Sequence, residues 1–166
     1  MLDRLQNLLV GSPRTQGRVT PEVYEAAITA MPDAVPTYDV LRRIDAVLQF
    51  LSLPEAADLA AASKRVRNIL KQSEEAPGEV AADRFEAAAE RDLLSSIIEL
   101  EQKNAALDNY TDKLIQLAAL RSPVDAFFEA VMVNADDADV RRNRLALLAR
   151  LDRMCRDVAD LSCLPG

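Results

Sequence analysis

Apolar residues recur at spacings of three and four along most of the chain, and strict alternation of apolar with polar residues is hard to find. A clear run is formed by Val40 or Leu41, Ile44, Val47 or Leu48, and Leu51. This spacing places apolar side chains on one face of an α-helix, whereas a half-buried strand requires a period of two. Ala and Leu abound, only four glycines occur, and aromatic residues account for 4% of the chain. The sequence therefore predicts an all-α fold.

Turn and capping residues divide the chain into a short amphipathic segment at residues 2–9 and about seven further helices. Short loops between helices favour an antiparallel helical bundle. The helices are predicted over residues 20–31, 37–51 and 54–73, from Ala82 onward, and over 108–120, 122–132 and 138–161. Their starts are marked by Thr20 with Pro21, a capping box at 52–55, Asp108, Ser122 with Pro123, and Asp136 with Asp137.

The length and composition indicate a single domain over residues 1–166, since 166 residues with 49% hydrophobic content can fill a real core. Inside it, residues 73–82 are predicted to be an acidic linker with Pro and Gly. The formal net charge is −7, and it is unevenly distributed. Residues 73–102 hold nine acids and two bases, so they account for all of it. Overall acidity therefore does not exclude a local basic surface.

The sequence contains no histidine, which removes the commonest general base, the usual triads and most transition-metal sites. It also lacks a glycine-rich phosphate-binding loop. Cys155 and Cys163 are too few for a disulfide framework or a zinc site, and we interpret them as small apolar residues in a reducing cytoplasm. No apolar run approaches the ~18 residues of a membrane span. We therefore expect a cytoplasmic, non-catalytic domain with no membrane contact, metal or cofactor.

One predicted helix contains an unusual concentration of cations. No acidic residue occurs between positions 58 and 74, and within this gap lie Lys64, Arg65, Arg67, Asn68 and Lys71. On a helix the apolar residues gather on one side and these five spread over the other, with Arg65 at the flank. Such a face suits RNA phosphates, and Asn68 can add a contact to a base edge or sugar. The alternative is an ordinary solvated face, since Lys and Arg favour helix surfaces.

The last predicted helix places one arginine in an unexpected position. Arg144 projects among leucines, whereas the other arginines of this helix lie on the opposite side, mixed with aspartates. A guanidinium on an apolar face needs a partner. We expect that partner to be an acid elsewhere in the bundle, in preference to a ligand.

Two long stretches of the chain resemble a known family. LAAASKRVRNILK and LAALRSPVDAFFEAVMVNADDADVRRNRLALLARLDRMCRDVADLS are similar to the C-terminal end of the bacterial glycyl-tRNA synthetase β subunit, and the resemblance covers essentially the whole chain. It implies a DALR-like helical anticodon-binding domain, of the type shared with arginyl-tRNA synthetase, and a chain that is a fragment of a longer β subunit. The implied partners are the anticodon region of tRNA-Gly, the rest of the β chain and the separate catalytic α subunit, where ATP and Mg²⁺ are expected.

The resemblance also implies which residues contact RNA. The family's KRVxNIL motif falls on residues 64–70, its VMVNADD segment on 131–137, and its NRLALL segment on 143–148. Bases stack on aromatic side chains in single-stranded RNA sites, but no tyrosine lies in the basic helix, which leaves the mode of base readout open. The predicted RNA-binding residues are Lys64, Arg65, Arg67, Asn68, Lys71, Asn134 and Arg144. The alternative for Asn134 is a cap of the last helix, and the alternative for Arg144 is a buried structural ion.

The resemblance thus implies tRNA anticodon binding in support of glycyl-tRNA aminoacylation. The alternative is a helical protein-interaction module without an RNA ligand, in which the acidic helix from Ala82 docks another chain and the basic helix meets an acidic partner. Salt distinguishes the two hypotheses. RNA binding weakens by about 0.7 log unit per log unit of salt for each phosphate neutralised on a single strand. A partner held by apolar anchors is less sensitive.

Overall fold

The computed structural model describes residues 2–31, 36–73 and 78–166, so part of the predicted linker, residues 74–77, lies outside the described ranges. Within these ranges the chain forms eight α-helices with short 3-10 segments, and no strand occurs in them. The all-α prediction is therefore confirmed. The helices are α1 (Leu2–Leu9), α2 (Pro21–Thr29), α3 (Thr37–Phe50), α4 (Ala56–Gln72), α5 (Ala88–Ala105), α6 (Tyr110–Gln116), α7 (Arg121–Ala130) and α8 (Ala138–Cys155).

Two helices begin where the sequence predicts. Thr20 caps α2, because its hydroxyl oxygen accepts a hydrogen bond from the Val23 N–H at 3.3 Å, and Pro21 occupies the first helical position. Asp137 caps α8 by accepting from the backbone N–H groups of Asp139 and Val140 at 2.8 and 3.1 Å. Both caps are local interactions between residues close in sequence, which is why the sequence alone reveals them.

Three predicted caps are wrong. The Ser52 hydroxyl donates to the Gln49 carbonyl at 2.6 Å, so it closes the end of α3 and no capping box forms at α4. Asn109, and not its neighbour at position 108, caps α6 by accepting from the Thr111 N–H at 2.8 Å. Ser122 lies inside α7, because the 3-10 segment at residues 117–120 runs directly into that helix and leaves no capping position.

The helix predicted to begin at Ala82 begins at Ala88. Residues 82–84 form a separate 3-10 segment. The cause is Glu90, whose Oε2 accepts hydrogen bonds from the backbone N–H groups of Glu86 and Ala87 at 2.9 and 2.8 Å. These bonds satisfy donors that the start of a helix leaves without partners. The carboxylate therefore sets the first turn of α5.

The C-terminal helix is also shorter than predicted. α8 ends at Cys155 instead of Leu161, and residues Leu161–Cys163 form a 3-10 turn. Before that turn the Asp160 N–H donates to the Ala26 carbonyl of α2 at 2.8 Å. The Asp160 carboxylate accepts from the Ser162 N–H at 3.1 Å and caps the turn. The chain therefore leaves the helix and packs against both α2 and α4.

The helices pack around one cluster of buried apolar side chains. α3 packs against α2 and α6, and α5 packs against α7 and α8. α4 contacts α7, α8 and the C-terminal 3-10 turn, so one side of this helix is covered and the other faces solvent. Across the described ranges, no helix is both long enough and apolar enough to cross a membrane.

Candidate nucleic-acid interface

Helix α4 contains five of the seven predicted site residues. Its buried side is formed by small and apolar residues: Ala56, Leu59, Ala60, Ser63 and Val66. Lys64, Asn68 and Lys71 are exposed, and their spacing of four and three residues aligns them on one helix face. Within the described part of the chain, no hydrogen bond or ion pair engages these three side chains. We call these three residues the α4 face.

Arg65 lies at the flank of the α4 face and contacts α7. Its guanidinium carbon lies over the Phe128 ring, 3.9 Å from the ring centroid, and the side chain is exposed. A cation this close to the face of an aromatic ring is attracted by the ring's quadrupole. In the sequence, Phe128 is one residue of the helix predicted over 122–132. Its helical spacing could not reveal that the ring is half-buried and covered by a residue of α4.

Arg67 has partners within the protein. Its Nη1 contacts the Asp160 carboxylate and donates to the Ser162 hydroxyl at 2.8 Å. Its Nε lies 3.9 Å from the Asp152 carboxylate. The helical wheel placed Arg67 on the solvated face, and that placement is wrong, because the C-terminal turn covers this side of α4. A contact between Arg67 and RNA stays a prediction.

Arg144 is buried and forms the ion pair that the sequence analysis favoured. Its Nε donates to Glu90 at 2.9 Å and its Nη2 to Glu86 at 2.8 Å. Nη1 donates to the Met132 carbonyl at 3.0 Å. The Glu90 side chain is fully buried, whereas the Glu86 side chain is 63% exposed. The three donor nitrogens of Arg144 are thus all engaged within the fold, and an RNA contact by this residue stays a prediction.

Glu90 is a residue whose role the sequence analysis missed. It is one of the nine acids at residues 73–102, and no role was predicted for it. The structure buries it completely, and it joins the start of α5 to α8 through Arg144. A Glu at the third position of a helix is a recognised signal for a carboxylate that reaches back to the preceding N–H groups. That signal is visible only when the helix start is placed correctly.

Asn134 lies in the turn between α7 and α8, and its side chain is exposed. In the described ranges no hydrogen bond joins it to the α4 face. In the same turn, hydrogen bonds from the backbone N–H groups of Val140 and Asp139 lower the pKa of Asp137, as expected for an acid at a helix N-terminus. Asp137 therefore has a capping role, and the role of Asn134 stays a prediction.

The two thiols differ in accessibility. Cys155 is buried on the core side of α8, and burial raises the pKa of its thiol to about 11. Cys163 is half-buried, and burial raises its pKa as well. A raised pKa keeps a thiol protonated at neutral pH and lowers its nucleophilicity. Neither cysteine has the properties of an activated nucleophile.

The structure is a helical domain with an exposed cationic face on α4. The chain belongs to the DALR anticodon binding domain family, whose family model matches residues 59–161. The matched range contains all seven predicted site residues. It begins at Leu59, in the first turn of α4, and ends at Leu161, the first residue of the C-terminal 3-10 turn.

Several curated relatives are similar over most of the chain. The glycine–tRNA ligase beta subunit of Thiobacillus denitrificans is 48% identical over 94% of this chain and 22% of its own length. That of Delftia acidovorans is 45% identical over 99% of this chain and 23% of its own length. The Pseudomonas fluorescens protein of the same description is 52% identical over 76% of this chain and 19% of its own. The chain thus spans about a fifth of the length of these relatives.

Proposed function

We propose that this domain binds the anticodon region of tRNA-Gly as part of a glycine–tRNA ligase beta subunit in the cytoplasm. Membership of an anticodon binding domain family supports tRNA as the ligand. The similarity to glycine–tRNA ligase beta subunits supports glycine as the amino acid. In this proposal the domain does no chemistry itself. ATP, Mg²⁺ and aminoacyl transfer belong to the separate catalytic subunit, and the remainder of the beta chain is a further partner.

The observation that carries the proposal is the α4 face. Lys64 and Lys71 place two ammonium groups in solvent on a helix that carries no acid after Asp58, so a polyanion meets little repulsion there. Asn68 lies between them, and an amide can both donate to and accept from a base or ribose. Phosphate contacts by lysine position a nucleic acid, and amide contacts add selectivity.

The test is binding of the 166-residue chain to tRNA-Gly across a salt series, with the double variant Lys64→Ala/Lys71→Ala. Each phosphate contact on a single strand contributes about 0.7 to the slope of log affinity against log salt. The double variant should therefore weaken binding and reduce the slope by about 1.4. A tRNA with an altered anticodon should bind more weakly than tRNA-Gly.

The matched control is Lys103→Ala/Lys113→Ala, which removes the same charge from α5 and α6. Lys103 pairs with Glu99 at 2.7 Å and Lys113 lies 3.9 Å from Asp157, so both have partners away from α4. The control should leave the salt slope unchanged. Equal losses in both double variants would contradict a specific role for the α4 face. Absence of tRNA binding at low salt would favour the protein-interaction hypothesis.

A further inference from the structure

The contact between Arg65 and Phe128 is built on the core. Phe128 meets Phe127 edge to face, with ring centroids 5.4 Å apart and an interplanar angle of 75°. Phe127 is fully buried, so it holds the Phe128 ring in place. Arg65 covers that ring from α4 and is itself exposed. The result is a stack of a guanidinium on an aromatic ring, anchored at its inner end and open to solvent at its outer end.

A groove between α4 and α7 adjoins this stack. Its cavity volume is about 400 Å³. Two alanines of α4, Ala61 and Ala62, lie along it and leave room beside the stack. The remaining lining residues are aromatic or charged: Asp58, Arg65, Arg121, Asp125, Phe128 and Glu129.

Some charged groups in the groove are paired within the protein, and Glu129 is not paired with any described residue. Arg121 Nε donates to the Asp58 carboxylate at 2.6 Å and lies 3.8 Å from the Asp125 carboxylate, so these three residues neutralise one another in part. Glu129 is exposed, and within the described ranges no ion pair or hydrogen bond engages it. With three carboxylates and two guanidinium groups, the groove does not suit a phosphate. It suits a flat uncharged ring that presents N–H donors.

We propose that this groove binds one nucleobase, stacked on the Arg65 guanidinium that covers Phe128, and that Glu129 selects a base with an exocyclic amino group. This inference rests on the proposed function, because the neighbouring α4 face would hold the phosphates. Single-stranded bases stack on aromatic rings and on arginine guanidinium planes. Cytosine presents an N4 amino donor where uracil presents an O4 acceptor. The Glu129 carboxylate can accept a hydrogen bond from the N4 amino group of cytosine, whereas it repels the O4 atom of uracil. The groove therefore prefers cytosine to uracil.

This assignment supplies a base-stacking surface, although no tyrosine lies in the basic helix. The composite of an arginine from α4 and a phenylalanine from α7 takes the place of a tyrosine in the basic helix. The Lys64 side of α4 carries charge for the backbone of the nucleic acid, and the Arg65 side offers a surface for a base.

The experiment measures binding of the 166-residue chain to RNA hairpins whose loops differ only by cytosine or uracil at one position, scanned around the loop. Three variants probe the groove. Arg65→Lys keeps the charge and removes the planar group, Phe128→Leu keeps apolar volume and removes the ring, and Glu129→Gln keeps the shape and removes the charge. Asp112→Asn, at an exposed position of α6, is the charge-matched control for Glu129.

At one loop position the unmodified chain should bind cytosine at least about five-fold more tightly than uracil, the lower end of discrimination by side-chain contacts to a base. Glu129→Gln should abolish that preference, and Asp112→Asn should retain it. Arg65→Lys should weaken binding at least about five-fold, the lower end of the stacking contribution of one base, with the salt slope unchanged. Arg65 and Glu129 are exposed, so these variants keep the fold, which circular dichroism verifies.

Equal binding of cytosine and uracil at every position would overturn the inference, as would an Arg65→Lys variant that binds like the unmodified chain. If tRNA binding still depends on Lys64 and Lys71, the proposed function stands and only the groove assignment fails. If no RNA binds, both fail.

Discussion

Removal of Glu90 should destabilise the domain more than any substitution of an exposed acid. Glu90 is fully buried and accepts three hydrogen bonds, one from Arg144 and two from backbone N–H groups at the start of α5. Loss of the charge-assisted bond costs about 1.5–3 kcal/mol, and loss of the two backbone bonds costs about 1 kcal/mol each. Glu90→Ala should therefore lower the free energy of unfolding by about 3–5 kcal/mol, in the range for breaking a buried ion pair.

The structure offers a matched control on the same guanidinium. Glu86 also accepts from Arg144, at 2.8 Å, but its side chain is 63% exposed. Exposed ion pairs contribute about 0–1 kcal/mol because water screens them and both side chains lose entropy. Glu86→Ala should therefore change the unfolding free energy by less than about 1 kcal/mol. Two acids that bind one arginine should thus differ several-fold in their contribution.

Urea unfolding followed by circular dichroism measures both variants. The midpoint should fall for Glu90→Ala with an unchanged m-value, and the melting temperature should fall by about 6–20 °C, at 2–4 °C per kcal/mol for a domain of this size. Similar midpoints for the two variants would refute the reasoning, since burial would then not decide the strength of these pairs. Glu90→Gln should lie between the unmodified chain and Glu90→Ala, because an amide oxygen still accepts from the backbone.

Three further predictions test other parts of the fold. Burial opposes ionisation of Asp39, but hydrogen bonds from Arg43 and Tyr110 outweigh it and lower the pKa of Asp39. The stability that the ionised carboxylate contributes at neutral pH should therefore be lost as the pH falls below about 4. Asp39→Asn should flatten the acid limb of a curve of unfolding free energy against pH. Alkylation at pH 8, followed by mass spectrometry, should modify half-buried Cys163 before buried Cys155, whose pKa is raised to about 11; simultaneous modification would contradict this. Gly166→Ala should weaken docking of the C-terminal residues on α4, because the added Cβ would lie 2.5 Å from a backbone nitrogen of that helix, and amide hydrogen exchange at residues 158–166 should rise.

The sequence predicted the fold best where the determining interactions are local. Thr20 and Asp137 cap helices through residues two or three positions away, and both were identified from the sequence. Ser52 was misassigned because two local bonds compete for its hydroxyl, and the backward bond to Gln49 forms. The start of α5 was misplaced because Glu90 organises it from within the helix.

In the candidate site, too, the sequence predicts what depends on local structure and misses what depends on contacts between distant residues. A helical wheel is enough to place Lys64, Asn68 and Lys71 on the surface, since their exposure depends only on the helix and its apolar face. It cannot place Arg67, because the Asp160 carboxylate that contacts it is 93 residues away and reaches α4 only after the chain leaves α8. The Arg65–Phe128 contact likewise joins two helices whose packing no periodicity reveals.

The cations of α4 also divide by chemical type. Its two guanidinium groups are engaged, one by the Asp160 carboxylate at the C-terminal turn and one by an aromatic ring, while its two ammonium groups face solvent. Reagents that acylate primary amines do not modify guanidinium groups under the same conditions. Such a reagent would cancel the charge of the exposed face and leave the buried ion pairs of the core intact. The exposed ammonium charge of α4 is therefore chemically distinct from its engaged guanidinium groups, and it can be removed in solution without a single substitution in the chain.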